Sequence, residues 1–188
     1  KSVDMAKARL KGQHVNFLKV TWKEDVRKWH PGQEWIWQPG GFGVFDPGIN
    51  ALSIVTKILP EPIFADSATI EVPANASTPI AADIRFKRGD GAAADLSAAF
   101  DWRQETGETW EIEIGTKSGL ALHLKKGGSV LIVNGKIAHE AVLHEYEDIY
   151  AKFARLLKAK KSEVDASPLQ LVSDCFMLGR PVTTAEFS

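Results

Sequence analysis

Gly40-Gly41-Phe42-Gly43-Val44-Phe45-Asp46-Pro47-Gly48-Ile49-Asn50 is the stretch on which the reading of this chain turns. Asp46-Pro47 opens a helix, because Asp is favoured at the N-cap and Pro at the first helical position, where its missing N–H is not needed. Ile49, Leu52, Ile54, Val55, Ile58 and Leu59 then cover most of the circumference, which predicts a well-buried helix, and Pro60 and Pro62 end it. Asp46 and Asn50 lie four residues apart and so project from one helix face. Two readings of Asp46 stand side by side. It is an N-cap, or it is a carboxylate that joins the Asn50 amide in binding a diol or hemiacetal edge and moves a proton there.

Upstream, residues 3–11 read as a short helix that stops at Gly12, and His14 to Trp22 as a strand. Residues 23–45 form a long loop carrying Trp29, Trp35, Trp37, Pro31 and Pro39. Long loops in compact domains are usually functional. Trp29 and His30 lie on the approach to the glycine run, and a tryptophan face stacks well on the apolar C–H face of a pyranose. Loop packing is the alternative for Trp29, and Trp35 and Trp37 are lesser candidates. Glu24 could bond a sugar hydroxyl, with a solvated surface charge as its alternative.

Downstream, Ile80, Ala82, Ile84 and Phe86 alternate with polar or small residues. So do Leu96, Ala98, Phe100 and Trp102, then Trp110, Ile112 and Ile114, then Leu120, Leu122 and Leu124. Period two predicts strands with one buried and one polar face. The breaks at 88–91, 105–108, 126–128 and Asn134-Gly135 predict antiparallel hairpins. Val142, Tyr146, Ile149, Phe153, Leu156 and Leu157 fall at helical spacing. A last helix follows Ser167-Pro168, with Leu169, Leu171, Val172, Cys175, Phe176 and Leu178 apolar and Gly179 closing it. The layout is a single α+β domain over residues 1–188: an open, mainly antiparallel sheet with helices packed on one face. Trp102 and Trp110 sit in strands, where core packing or an intersubunit face is the default and sugar contact the alternative.

Composition narrows the function classes. The net charge of −1 provides neither a basic nucleic-acid surface nor a membrane-binding face. One cysteine, Cys175, allows no internal disulfide and fits a reducing, cytoplasmic setting, and its apolar helical stripe makes it a buried thiol rather than a nucleophile. His139, Glu140 and His144 lack a zinc-site spacing, and His123 falls on the polar side of a strand. The Asn75-Ala76-Ser77 sequon is read as chance. No GxGxxG loop lies between a strand and a helix, and Gly40-Gly41-Phe42-Gly43 follows a loop, so it is weak as a nucleotide site. The chain starts at Lys1 with no signal peptide, which suggests a piece of something longer.

A glycine run, then Asp, then an amide or His four residues on along one helix resembles the motif of the Gfo/Idh/MocA oxidoreductases. The order of elements matches that family's C-terminal, dihydrodipicolinate-reductase-like domain along essentially the whole chain. The stretch from Trp29 to Asn50, with its Asp-Pro-Gly-Ile-Asn core, looks like that of bacterial aldose 1-dehydrogenases acting on D-galactose or L-arabinose. Many relatives have His where this chain has Asn50, which implies an amide that orients sugar rather than a second acid–base group. The resemblance implies an NAD- or NADP-binding Rossmann domain on the N-terminal side, ending in a Glu-Lys-Pro motif. Neither lies in this chain. It further implies that Asp46 and Asn50 are the catalytic pair, that Glu24, Trp29, His30, Asp46 and Asn50 contact a monosaccharide, and that Asp46 partners the missing lysine while C1 is oxidised to an aldonolactone. The fragment alone is then inactive, and subunits associate as a homodimer or higher homo-oligomer through the sheet. The alternatives are a non-catalytic sugar-binding or dimerisation module, and a sibling oxidoreductase acting on another polyol.

Overall fold

The computed structural model describes residues 1–141 and 145–188. Nine strands form one sheet: β1 (Val15–Lys23), β2 (Ile63–Pro73), β3 (Ala81–Arg88), β4 (Asp95–Asp101), β5 (Thr109–Thr116), β6 (Ala121–Lys125), β7 (Val130–Val133), β8 (Lys136–Glu140) and β9 (Arg180–Thr184). Their order is β8-β7-β6-β5-β1-β4-β3-β2-β9. The sheet is open and mainly antiparallel, as expected from the alternation. Two pairs are parallel, β1 with β4 and β2 with β9.

The helices are α1 (Ser2–Leu10), a one-turn α2 (Val26–Trp29), α3 (Phe45–Ile58), α4 (Glu145–Ala159) and α5 (Ser167–Leu178). Helices α1 and α3 pack together, as do α3 and α5, and α5 lies on β2. The core between helices and sheet is built from the inward positions of the strands, with Leu18, Ile84, Phe100 and Ile112 facing Leu10, Phe45 and Leu52, all at most 2% exposed. The other face of the sheet is polar. Arg85 pairs with Asp95 at 2.9 Å there, and His123 bonds Glu111 at 2.7 Å.

Residues 63–73 carry no period-two pattern, yet they form β2, the longest strand of the sheet. A bulge at Ala65/Ser67 shifts its phase, so Ile63 and Ala65 point inward, and so do Ala68 and Ile70. The turn at 105–108 does not close a hairpin between neighbours, because β1 lies between β4 and β5. Asn134-Gly135 does turn β7 into β8, with both residues at positive φ, as a two-residue hairpin requires.

Helix α3 begins two residues earlier than its sequence signals imply. Val44 is the N-cap, Asp46 is inside the first turn, and its side chain caps nothing. Helix α5 starts at Ser167, whose N–H and hydroxyl both bond the Asp165 carboxylate, at 2.9 and 2.6 Å. Helix α4 forms as expected but does not join the core: Tyr146, Ile149, Tyr150, Phe153 and Leu157 are 51–72% exposed. Val142 and His144 lie outside the described residues. Cys175 is buried as expected, and burial pushes its thiol up to about 12. Asn75 of the sequon spends its side-chain amide on the main chain of Phe187, donating at 2.9 Å and accepting at 3.0 Å.

Candidate active site

Strand β1 ends where the parallel strand β4 ends. The chain continues through Glu24, whose N–H donates to Asp101 O at 3.0 Å, and Val26 N–H donates to Trp102 O at 3.0 Å. Glu24 is therefore fixed by its backbone beside Trp102. Beyond it, Asp25 accepts the Arg27 N–H at 3.0 Å and caps the short α2, which delivers Trp29 and His30. A 3₁₀ turn at Glu34–Trp37 follows. The connection between β2 and β3 ties the loop down: Ser77 N–H donates to Trp37 O at 2.9 Å, Thr78 Oγ1 to Ile36 O at 2.7 Å, and Val44 N–H to Pro79 O at 2.7 Å.

Glycine serves close packing here. Gly43 holds φ +55°, and a Cβ on it would lie 2.2 Å from Pro79 O. A Cβ on Gly48 would lie 2.8 Å from the ring of Phe100. A Cβ on Gly41 would meet Ile36 O at 3.0 Å. Protein atoms already occupy the space beside these glycines, so the run does not form an open cradle for a phosphate. The residues here do not fit a dinucleotide site; what the glycines do is seat the start of α3 against the sheet.

That seating puts Asp46 and Asn50 on the exposed face of α3, one turn apart, while Phe45, Gly48, Ala51 and Leu52 face the core. The Asp46 carboxylate makes no hydrogen bond or ion pair with the described residues. Its place in the first turn is favourable for a negative charge. The Asn50 side chain is equally free; only the main-chain carbonyl of Asn50 accepts Ser53 Oγ, at 2.7 Å.

Glu24 is the centre of the arrangement. It is 3% exposed, which removes the reading of a solvated surface charge. Its Oε2 accepts the indole N–H of Trp110 at 2.9 Å, and its Oε1 lies 3.8 Å from His30 Nε2. Trp102 is completely buried, and its indole nitrogen has no acceptor in hydrogen-bonding geometry. Burial pushes the Glu24 carboxyl above the ordinary glutamate range. Trp110, His30 and the Trp102 indole draw it back, and the charge of Asp46 raises it again. The buried and exposed carboxylates thus share one electrostatic environment.

Two aromatic triplets flank Glu24. Trp110 lies between Trp22 and Trp29, at 6.0 and 5.0 Å between ring centroids, and Trp102 lies between His30 and Trp37, at 5.3 Å from each. Trp29 is 43% exposed, Lys28 Nζ lies 5.1 Å from its ring centroid, and its N–H donates to Glu108 at 3.2 Å, where Lys28 also pairs. His30 Nδ1 is 3.4 Å from Gln33 Oε1. The structure therefore brings Glu24, Trp29 and His30 together and places Asp46 within electrostatic reach. Strand position alone makes Trp110 a core residue; its bond to Glu24 crosses 86 residues, and no local pattern reports it. Trp102 cannot present a face to a ligand.

No family model matches the chain. It is 48% identical, over 170 residues, to galactose 1-dehydrogenase of Pseudomonas fluorescens, covering 90% of this chain and 55% of that protein. The crystal structure of a D-galactose-1-dehydrogenase from Rhizobium etli superposes with a TM-score of 0.92 at 48% identity, over 100% of this chain and 59% of that one. A 3-ketoreductase from Actinomadura kijaniata, solved with NADP, shares the fold at a TM-score of 0.71 and 11% identity, over 97% of this chain and 57% of that one. The resemblance read from residues 29–50 is thus borne out. The chain spans a little over half the length of the relatives it matches.

Proposed function

We propose that this chain is the substrate-binding part of a longer NAD(P)-dependent aldose 1-dehydrogenase that oxidises C1 of D-galactose or L-arabinose to the aldonolactone. The observation that carries the reading is the free carboxylate of Asp46, held one turn from the Asn50 amide and near enough to Glu24 for its charge to act on that carboxyl. The similarity to galactose 1-dehydrogenases over nearly the whole chain supports it.

Oxidation of a hemiacetal carbon removes a proton from the C1 hydroxyl and a hydride from C1. NAD or NADP, held by a Rossmann domain outside these residues, supplies the hydride acceptor. This chain binds and orients the sugar and receives the proton. Asp46 is an acceptor with no competing partner, and Asn50 offers both a donor and an acceptor to a neighbouring hydroxyl. The exposed part of the Trp29 ring offers apolar contact to the C–H face of a pyranose. Glu24, being buried, reaches a hydroxyl only along the edge shared with His30. Subunit association through the open face of the sheet and a cytoplasmic setting belong to the same reading.

Galactose and arabinose differ by one hydroxymethyl group, a difference worth only about 1–3 kcal/mol in a pocket, so both are expected as substrates. The test follows NAD(P)H absorbance with the full-length protein and D-galactose, L-arabinose, D-glucose, D-xylose and myo-inositol. Fast reduction with galactose or arabinose is the expected result. Turnover of inositol alone would move the chain to a sibling oxidoreductase, and no turnover with any polyol would leave a binding module.

A further inference from the structure

Residues 184–188 follow β9 and are held by the connection between β2 and β3. Ala74 N–H donates to Thr184 O at 3.1 Å. The Asn75 amide donates to Phe187 O at 2.9 Å and accepts Phe187 N–H at 3.0 Å. A side-chain amide has one donor end and one acceptor end, and matching both to the main chain of one residue fixes how that residue is directed. Glu186 and Ser188 are exposed, whereas Phe187 between them is half-buried.

The ring so placed meets the loop of the candidate site at two points. It lies 5.8 Å from the ring of Trp37, and the guanidinium carbon of Arg27 lies 5.5 Å from its centroid. Both partners lead to His30. Trp37 meets Trp102 edge-on at 5.3 Å, and Trp102 meets His30 at the same distance. Arg27 bonds at 3.0 Å the Asp25 carboxylate that caps α2, the helix that delivers Trp29 and His30. Phe187, Trp37, Gln33 and His30 line one cavity of about 380 Å³.

We infer that Phe187 is a positioning residue for the sugar site, held by Asn75 and acting through Trp37 and Arg27 to fix the loop that carries Trp29 and His30. The inference rests on the reading of that loop as sugar-binding. The effect is one of geometry: a misplacement of about 1 Å, arising far from the chemistry, can cost on the order of 10²-fold in rate.

The test compares the full-length protein with its Phe187→Ala, Phe187→Tyr and Asn75→Ala variants. Asn75 is exposed, so its truncation opens no cavity in the core. KM for D-galactose or L-arabinose is expected to rise about tenfold in Phe187→Ala, and less in Asn75→Ala, with KM for NAD(P) and the thermal midpoint little changed. Phe187→Tyr, which keeps the ring, should restore the sugar KM. Hydrogen exchange should quicken at amides 26–38 in both alanine variants and stay unchanged in β3 and β6. An unchanged sugar KM in Phe187→Ala, with the wild type active, would overturn the inference and leave the functional reading standing. So would a rise in both KM values that follows a lowered midpoint and is not rescued by Phe187→Tyr, which would make Phe187 a packing residue. A wild type that turns over no aldose would overturn the functional reading, and the sugar role of Phe187 with it.

Discussion

The indole N–H of Trp110 donates to the buried carboxylate of Glu24 at 2.9 Å, and that bond joins the two aromatic triplets flanking the candidate site. It ties β5 to the end of β1, where the loop bearing Trp29 and His30 departs. Glu24→Ala leaves the Trp110 N–H buried without its acceptor, a loss of about 1–3 kcal/mol in unfolding free energy. Denaturant unfolding of the variant checks the value; an unchanged midpoint would show that the bond contributes nothing.

Glu24 also makes stability depend on pH. Its carboxyl is raised above the ordinary glutamate range, chiefly by burial, so the folded protein holds the proton more tightly than the unfolded chain. Stability from such a group is present below the unfolded value and is lost as pH rises through the folded value. Glu24→Gln does not titrate. Unfolding free energies measured from about pH 4 to about pH 8 should shift in favour of the variant as pH rises, then level off. A difference constant across that range would contradict a raised Glu24 carboxyl.

Gly48 faces the Phe100 ring, with room for no Cβ. Gly48→Ala is expected to lower stability by about 1–3 kcal/mol through overpacking. It should also push the start of α3, and Asp46 with it, away from Glu24. Thermal unfolding and sugar affinity measured together check this, and an unchanged affinity would separate the helix seat from the site.

Trp29 is 43% exposed, so its replacement should affect binding more than folding. Trp29→Ala in the full-length protein is expected to raise KM for the sugar by about 3–10-fold, the worth of roughly 0.5–1.5 kcal/mol of ring contact. Its thermal midpoint should move little. A large loss of stability with KM intact would make Trp29 a packing residue of the 105–108 turn, through Glu108.

Much of this was legible in the sequence, for local reasons. Ile84 with Phe86, and Leu122 with Leu124, keep strict alternation, and β3 and β6 lie where it places them. The phase of β2 slips at Ala65/Ser67, so its apolar residues do not line up in period two. The insertion of β1 between β4 and β5 is a long-range choice that the turn at 105–108 cannot report. The four-residue spacing places Asp46 and Asn50 on one helix face, but a two-residue shift of the helix start changes Asp46 from cap to free carboxylate. The burial of Glu24 depends on Trp102 and Trp110, which come from distant strands. The apolar stripe of α4 looked like core because periodicity shows which face is apolar, not what covers it.

The central claim is that Asp46 receives the proton of the anomeric hydroxyl. The most direct measurement compares the full-length protein with its Asp46→Asn variant, reading NAD(P)H formation with D-galactose and, separately, equilibrium binding of the sugar. The expected result is a fall in kcat of about 10²–10⁴-fold, the scale of a lost acid–base group, with the fold intact and sugar affinity changed only a few-fold. Full turnover by Asp46→Asn would contradict it and return Asp46 to a surface carboxylate in the first turn of a helix.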